Sequence, residues 1–195
     1  MSANAALTRC AWANPKNARY LRYHDEEWGV PCHDDRKLYE MLLLESFQAG
    51  LSWEIILNKR EAFRNAFDGF DLDAVCSYDE AKLDVLMQDP GIVRNRRKLD
   101  AAVSNSRIFR RMQQVFGSFD AFLWSFTEGK TLVETDPAVT TNALSDRVSA
   151  ELKRRGMKFV GSTIIFSYLQ AVGVIFSHSP DCFCYQRLAR LQTAP

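Results

Sequence analysis

The sequence predicts an all-α fold. Three observations carry that expectation: apolar residues recur at helical spacing along most of the chain, alternating runs of β-branched residues are few, and no regular hairpin turn separates such runs. The 195 residues are 47% hydrophobic and 12% aromatic, with 25 Lys+Arg against 24 Asp+Glu and only 9 Gly and 6 Pro, which excludes disordered, collagen-like and low-complexity chains. A chain of this length buries roughly 70% of its unfolded surface, so neither disulfides nor oligomerisation is required for stability.

Residues 34–48 open with acids, which suit a helix N-terminus, and place Leu38, Met41, Leu42 and Glu45 at the i, i+3, i+4, i+7 spacing of one face. Residues 52–67 read as a second helix closed by the Asp68-Gly69 turn signal. Ser77 and Glu80 have capping-box spacing ahead of a short helix over 79–88. That helix stops at Asp89-Pro90-Gly91, because proline disfavours helical geometry in the residue before it and glycine permits positive φ. A further helix starts near Arg94, residues 118–126 read as another short helix, and 128–141 as a loop. Residues 146–155 and 159–176 read as helices separated at Gly156, a C-cap. No repeat or linker divides the chain cleanly. Two lobes, with the middle helices in one and the two ends packed together in the other, fit this pattern, and the tail beyond Arg187 is expected to fray.

Cys10, Cys32, Cys76, Cys182 and Cys184 form an odd, irregular set, and residues 1–7 lack the cationic start and apolar core of a secretory signal, so a reducing, intracellular compartment is expected. Residues 159–180 contain no Asp, Glu, Lys or Arg, which raises a membrane span. Gly161, Ser162, Thr163, Ser167, Gln170 and Gly173 punctuate that stretch, and a buried core helix is the expectation.

The net charge of +1 is unevenly divided. Between residues 94 and 111, seven basic residues (Arg94, Arg96, Arg97, Lys98, Arg107, Arg110, Arg111) face one acid, Asp100, so this segment carries +6 while the rest of the chain sums to −5. Lys153, Arg154, Arg155 and Lys158 form a second cluster. Local basic patches on a neutral protein suit a phosphate-backbone contact, since only the docking face must displace counterions; a solvated helix face is the alternative. Residues 79–111 read as helix, Pro90-Gly91-Ile92-Val93 hairpin, helix. A glycine hairpin that exposes backbone N–H groups at a helix N-terminus, backed by Arg94, Arg96, Arg97 and Lys98, can hold a DNA phosphate without reading sequence.

Glu45 follows four apolar residues and lies in register with Leu38, so it should point inward, where a carboxylate needs a partner. It is either a structural acid or a pocket acid that accepts hydrogen bonds from a cationic ligand. Tyr20, Tyr23 and Trp28 precede its helix and Trp53 follows it. Such aromatics serve as core, or else as faces for a planar cation. For metal, His178 and Cys182 are four residues apart, and Cys10 with His24 can complete a tetrahedral Cys2His2 set; Cys32, His33 and Cys184 compete for the role. Four protein ligands leave no open position, so such a zinc would be structural and would tie one end of the chain to the other.

These motifs occur as Tyr23-His24-Asp25-Glu26-Glu27-Trp28-Gly29-Val30-Pro31, Leu44-Glu45, Gln48-Ala49-Gly50-Leu51-Ser52-Trp53, Gly91-Ile92-Val93-Arg94 and Lys158-Phe159-Val160-Gly161, closed by His178 and Cys182. In this order, over nearly the whole chain, the sequence resembles the 3-methyladenine DNA glycosylase I family, bacterial base-excision repair enzymes of the helix-hairpin-helix superfamily. The resemblance implies residues 1–187 as one glycosylase domain, with the hairpin module at about 79–111, zinc-linked termini at about 9–30 and 157–185, and a frayed tail over 188–195. It implies Cys10, His24, His178 and Cys182 as ligands of one structural Zn2+. It implies Glu45 as the catalytic pocket acid, with Tyr23, Trp28, Trp53 and Ser167 binding the flipped base. Gly50 and Leu51 would form the DNA-facing lip, and Gly91, Val93, Arg94, Arg96, Arg97 and Lys98 the backbone contact. The expected partners are double-stranded alkylated DNA and the 3-methyladenine base, bound by a cytoplasmic monomer with no membrane association. Ser46-Phe47 departs from the Gly-Gln pair of some members, which bears on the fine shape of the pocket. The rival class is a noncatalytic DNA-binding module with a structural zinc, which has no use for an inward carboxylate among aromatics.

Overall fold

Helix α2 (Asp35–Gln48) is the centre of the molecule, whose computed structural model describes residues 7–186. Asp34 caps it by accepting from the amides of Arg36 and Lys37. The single apolar face expected here is exceeded: Leu38, Tyr39 and every residue from Met41 to Phe47 are buried, because other helices pack on several sides of α2. Before it, α1 (Ala18–Arg22) continues directly into one π turn, Tyr23–Glu27, which points Tyr23 and His24 into the interior.

The helix expected over 52–67 breaks at Lys59 into α3 (Trp53–Asn58) and α4 (Arg60–Ala66). The Lys59 ammonium donates to the carbonyls of Pro90 and Gly91, at 2.8 and 3.1 Å, and so fastens the break to the hairpin. Helix α5 (Leu72–Cys76) was not legible, its five residues being too short to display a period. The expected capping box does not form: Asp79 caps α6 (Glu80–Gln88), while the Ser77 hydroxyl donates backward to Ala74 O and closes α5. After the hairpin, Asn95 caps α7 (Arg96–Phe116), and Ser118 caps α8 (Phe119–Ser125). At the hairpin, a Cβ on Gly91 would lie 2.9 Å from Ala62 Cβ, so only glycine fits.

The expected loop over 128–141 contains β1 (Leu132–Val133). Helix α9 (Ala143–Arg154) begins with a reciprocal Asn142/Ser145 cap and ends at Gly156, φ +98°. The long helix expected over 159–176 is shorter: α10 (Ser162–Ala171) starts after Gly161, and β2 (Ile175–Phe176) pairs in parallel with β1, Leu132 opposite Ile175. Gly173 forces the change, since it takes φ +74° and a Cβ there would sit 2.3 Å from the backbone of Val30 and Pro31, which crosses at this point. That ladder is the only sheet among the described residues, so the all-α expectation holds.

Helix α10 packs on α9 and α2, while α7 packs on α5, α6, α8 and α2. The central helix therefore packs against members of both groups, its Tyr39 hydroxyl bonded to Ser106 of α7 and its Leu38 carbonyl to Tyr168 of α10. No helix among the described residues is long and apolar enough to cross a membrane. The expected fraying of 188–195 lies outside the described residues.

Candidate functional site

A cleft of about 610 Å³ opens at the C-terminal half of α2. Glu45 and Gln48 line it from α2, Tyr23 from the π turn, Trp53 from the first turn of α3, and Ser167 and Gln170 from α10. Glu45 is 2% exposed, and burial pushes its carboxyl well above the ordinary range. Tyr23 is equally buried, and burial, reinforced by Glu45, drives its hydroxyl pKa up. Among the described residues, four buried polar side-chain atoms have no hydrogen-bond partner: Glu45 Oε2, Gln48 Oε1, Trp53 Nε1 and Ser177 Oγ. All four belong to residues that line this one cleft. Native folds pair nearly all such atoms, each orphan costing about 1–3 kcal/mol, so their concentration here marks a surface built for a polar ligand.

The Tyr23 and Trp53 ring centroids are 5.4 Å apart at 52°. Two faces that sandwich a planar group must stand roughly 7 Å apart and parallel, so these rings form a corner that offers such a group one face and one edge. Trp28 also lines the cleft, but its ring makes edge contacts with Trp12 and His178, each at 4.7 Å, and so braces the wall. Ser46 and Phe47 do not line the cleft: the Ser46 hydroxyl donates to Leu42 O, and Phe47 packs against Phe63 at 4.8 Å. Sequence reasoning gave no role to Trp12 or Ser177. Trp12 is two residues beyond Cys10 and touches Tyr20, His24 and Trp28, a position that only the folded N-terminal segment reveals.

Behind this wall, Cys10, His24, His178 and Cys182 converge, all buried, with their ligand atoms within 4.8 Å of one another. Cys10 Sγ and Cys182 Sγ each lie 3.5 Å from His178 Nδ1, and Cys182 Sγ lies 3.5 Å from His24 Nε2. Tetrahedral ligation with bonds of about 2.0–2.3 Å separates donors by about 3.3–3.8 Å, the spacing of these three pairs, so the set suits a metal ion. The outer contacts fix the tautomers: His178 Nε2 donates to Trp28 O at 3.0 Å, and His24 Nδ1 to Asp25 at 2.8 Å, which turns the other nitrogen of each ring inward. Burial opposes charge on Asp25, but bonds from Arg9 and His24 outweigh it and hold the carboxyl low. Backbone amides of Ser179 and Cys184 donate to Cys10 Sγ and Cys182 Sγ, both at 3.4 Å. Burial pushes the Cys10 thiol up, a cost that a cation held between the sulfurs would offset. Of the competing ligands, Cys32 and His33 lie elsewhere, Cys32 Sγ against Asp34 O and His33 paired with Asp120 over the Trp124 ring, whereas Cys184 is buried beside the cluster, grouped with His24 and Asp25 and with Sγ 3.9 Å from Asp25 O.

The basic segment is largely engaged inside the fold. Arg96, expected on DNA, pairs with Glu80, Asp84 and Asp100, and Arg107 and Arg110 bond Cys76 O and Asp73. Lys98, also expected on DNA, is 7% exposed, with Nζ 2.8 Å from Phe47 O and 2.6 Å from Ala49 O. The Gly91 N–H donates to Asp89 Oδ1 at 2.7 Å rather than outward, and Val93 is half-buried against the core. Arg94 and Arg97 are exposed beside the hairpin. Gly50, at φ +79°, and the 37% exposed Leu51 form a lip that follows α2.

A sequence model of the methyladenine glycosylase family matches residues 12–185. The chain is 42% identical over 186 residues to DNA-3-methyladenine glycosylase 1 of Escherichia coli (strain K12), an alignment covering 92% of this chain and 97% of that one. It is 38% identical over 181 residues to DNA-3-methyladenine glycosylase of Haemophilus influenzae, covering 91% and 97%. A crystal structure of 3-methyladenine DNA glycosylase I matches with a TM-score of 0.88 at 42% identity, over 91% of this chain and 100% of that chain. A structure of the Staphylococcus aureus enzyme, described as the basis of its 3-methyladenine recognition, matches with a TM-score of 0.86 at 38% identity, over 91% and 96%. Sequence and fold agree over nearly their full lengths, and the chain belongs to the methyladenine glycosylase family.

Proposed function

We propose that this protein excises 3-methyladenine from alkylated double-stranded DNA by hydrolysing the N-glycosidic bond of an extruded nucleotide, leaving an abasic site. The observation that carries this reading is the set of orphaned polar atoms on Glu45, Gln48, Trp53 and Ser177, gathered in one cleft with aromatic walls. Methylation at N3 places positive charge on the base and lets it depart neutral, so less acceleration is needed than for an unmodified base. Selection then rests on recognition. Glu45 Oε2 accepts from the amino edge of the base, and its carboxylate form is favoured only when a cationic base offsets the cost of burial. Neutral adenine leaves that cost uncompensated. Tyr23 and Trp53 supply stacking and edge contact, Trp28 packs against Trp12 and His178 in the wall of the cleft, and Ser167 borders the same cleft. A noncatalytic binding module has no use for these unsatisfied atoms.

Leu51, beside Gly50, fills the gap left by the extruded nucleotide, and Arg94 and Arg97 hold the backbone at the hairpin, read here as a helix-hairpin-helix module of a single glycosylase domain. Cys10, His24, His178 and Cys182 hold one zinc ion. When bound, zinc in a closed four-ligand site contributes folding energy and no reactive position.

The test is chromatography of bases released from DNA treated with a methylating agent. Wild type is expected to release 3-methyladenine, and Glu45→Gln to lower kcat/KM on the order of 100-fold. No release by a folded, DNA-binding wild type overturns the proposal.

A further inference from the structure

Helix α7 carries two buried polar side chains seven residues apart on one stripe. Lys98 bonds the carbonyls of Phe47 and Ala49, at the end of α2 and immediately before the Gly50-Leu51 lip. Asn105, 1% exposed, brackets the backbone of Lys158: its Nδ2 donates to Lys158 O at 2.8 Å, and its Oδ1 accepts from Lys158 N–H at 2.9 Å. Lys158 precedes Phe159, held at φ +56°, and the entry to α10. One helix, starting at the hairpin, is thus fastened to two of the elements that wall the cleft, the end of α2 and the entry to α10, through side chains that do not line it.

The chemistry of the Lys98 contact suits a rigid link. The last carbonyls of a helix lack intrahelical partners and carry its negative pole, and a buried ammonium satisfies two of them in a way that no neutral side chain reproduces. From the break between α3 and α4, Lys59 holds the carbonyls of Pro90 and Gly91 in the hairpin. Two lysines therefore fix the hairpin and the lip within one frame.

We infer that Lys98 is a positioning residue for base extrusion: through Phe47 O and Ala49 O it sets the Gly50-Leu51 lip at a fixed spacing from the hairpin. A backbone phosphate anchored at the hairpin and a Leu51 side chain entering the duplex then act on the same nucleotide. Lys98 touches neither base nor sugar and forms no covalent bond with the substrate. This inference rests on the glycosylase reading and goes beyond it by dividing extrusion from recognition.

The test uses a methylated oligonucleotide with a single adenine, annealed so that the lesion faces either thymine or an abasic site, in single-turnover excision. Opposite an abasic site there is no pair to break. Lys98→Met is expected to slow excision opposite thymine at least about tenfold and to stay within about threefold of wild type opposite the abasic site. Lys98→Arg, which keeps the charge and the donors, is expected to recover most of the loss. Quenching of tryptophan fluorescence by free 3-methyladenine should be unchanged in both variants. Equal losses on the two duplexes, no loss on either, or lost affinity for the free base would each overturn the inference. Should Lys98→Met fail to fold, Lys98→Gln and Leu51→Ala carry the same comparison, and equal losses on the two duplexes again overturn it. Absence of excision by wild type on both duplexes is a different result and removes the glycosylase reading together with this one.

Discussion

Glu45 concentrates the conflict between folding and recognition in one side chain. Its buried carboxyl keeps its proton to a higher pH than the unfolded chain does, so the unfolded state sheds that proton first and stability falls as pH rises from the ordinary glutamate range toward the raised value. Glu45→Gln abolishes the dependence. The ligand-free variant is expected to melt above wild type at neutral pH, by about 2–4 °C for each kcal/mol relieved, with the gap closing as the buffer approaches pH 4. Thermal melts across that range check this, and a variant melting below wild type at pH 7 would mean that the carboxylate already has a partner. Glu45 was legible because an acid within Met41–Phe47 breaks an apolar run, and His178 and Cys182 because ligand spacing is local. Lys98 was misplaced for the converse reason: among Arg94, Arg96 and Arg97 nothing local separates an ammonium that faces solvent from one aimed at carbonyls about fifty positions away.

At the scale of elements, the hairpin and the ends of the chain each make a distinct prediction. Arg94→Ala and Arg97→Ala are each expected to weaken nonspecific duplex binding and to reduce the slope of log affinity against log salt by about one phosphate contact, whereas Arg96→Ala, already matched by Glu80, Asp84 and Asp100, leaves the slope unchanged. Anisotropy titrations at several salt concentrations read this directly. An equal effect of all three would show that total charge, not placement, governs docking. For the Cys2His2 cluster, incubation with a chelator is expected to lower Tm, and Cys182→Ser to remove the metal from the purified protein by elemental analysis; an unchanged Tm with no bound metal would reduce the cluster to packing. Helix starts were readable from Asp34, Ser118 and the Pro90-Gly91 break, because caps and breakers act within one turn. The end of α10 was not, since Gly173 obeys a backbone crossing from Val30 and Pro31 that no local pattern encodes.

For the whole molecule, that crossing is a point of high sensitivity. Gly173→Ala is expected to destabilise by about 2–4 kcal/mol, combining positive φ with a Cβ inside another segment's backbone, and a denaturant midpoint near wild type would refute the packing described. Net charge was a poor guide at this scale, because +1 overall and +6 locally both conceal which cations the fold keeps for itself. The meeting of the two ends has a further consequence. Thr8 O accepts from the Phe183 amide at 2.9 Å, and Cys10 meets His178 and Cys182, so the last described segment of the backbone returns to the first. Chain order is then separable from architecture: a circular permutant opened at the exposed Gly129 turn, with a linker joining residues 7 and 186, is expected to retain the contacts at the cleft and the cluster, because the starting point of such a chain can move without redesigning the fold.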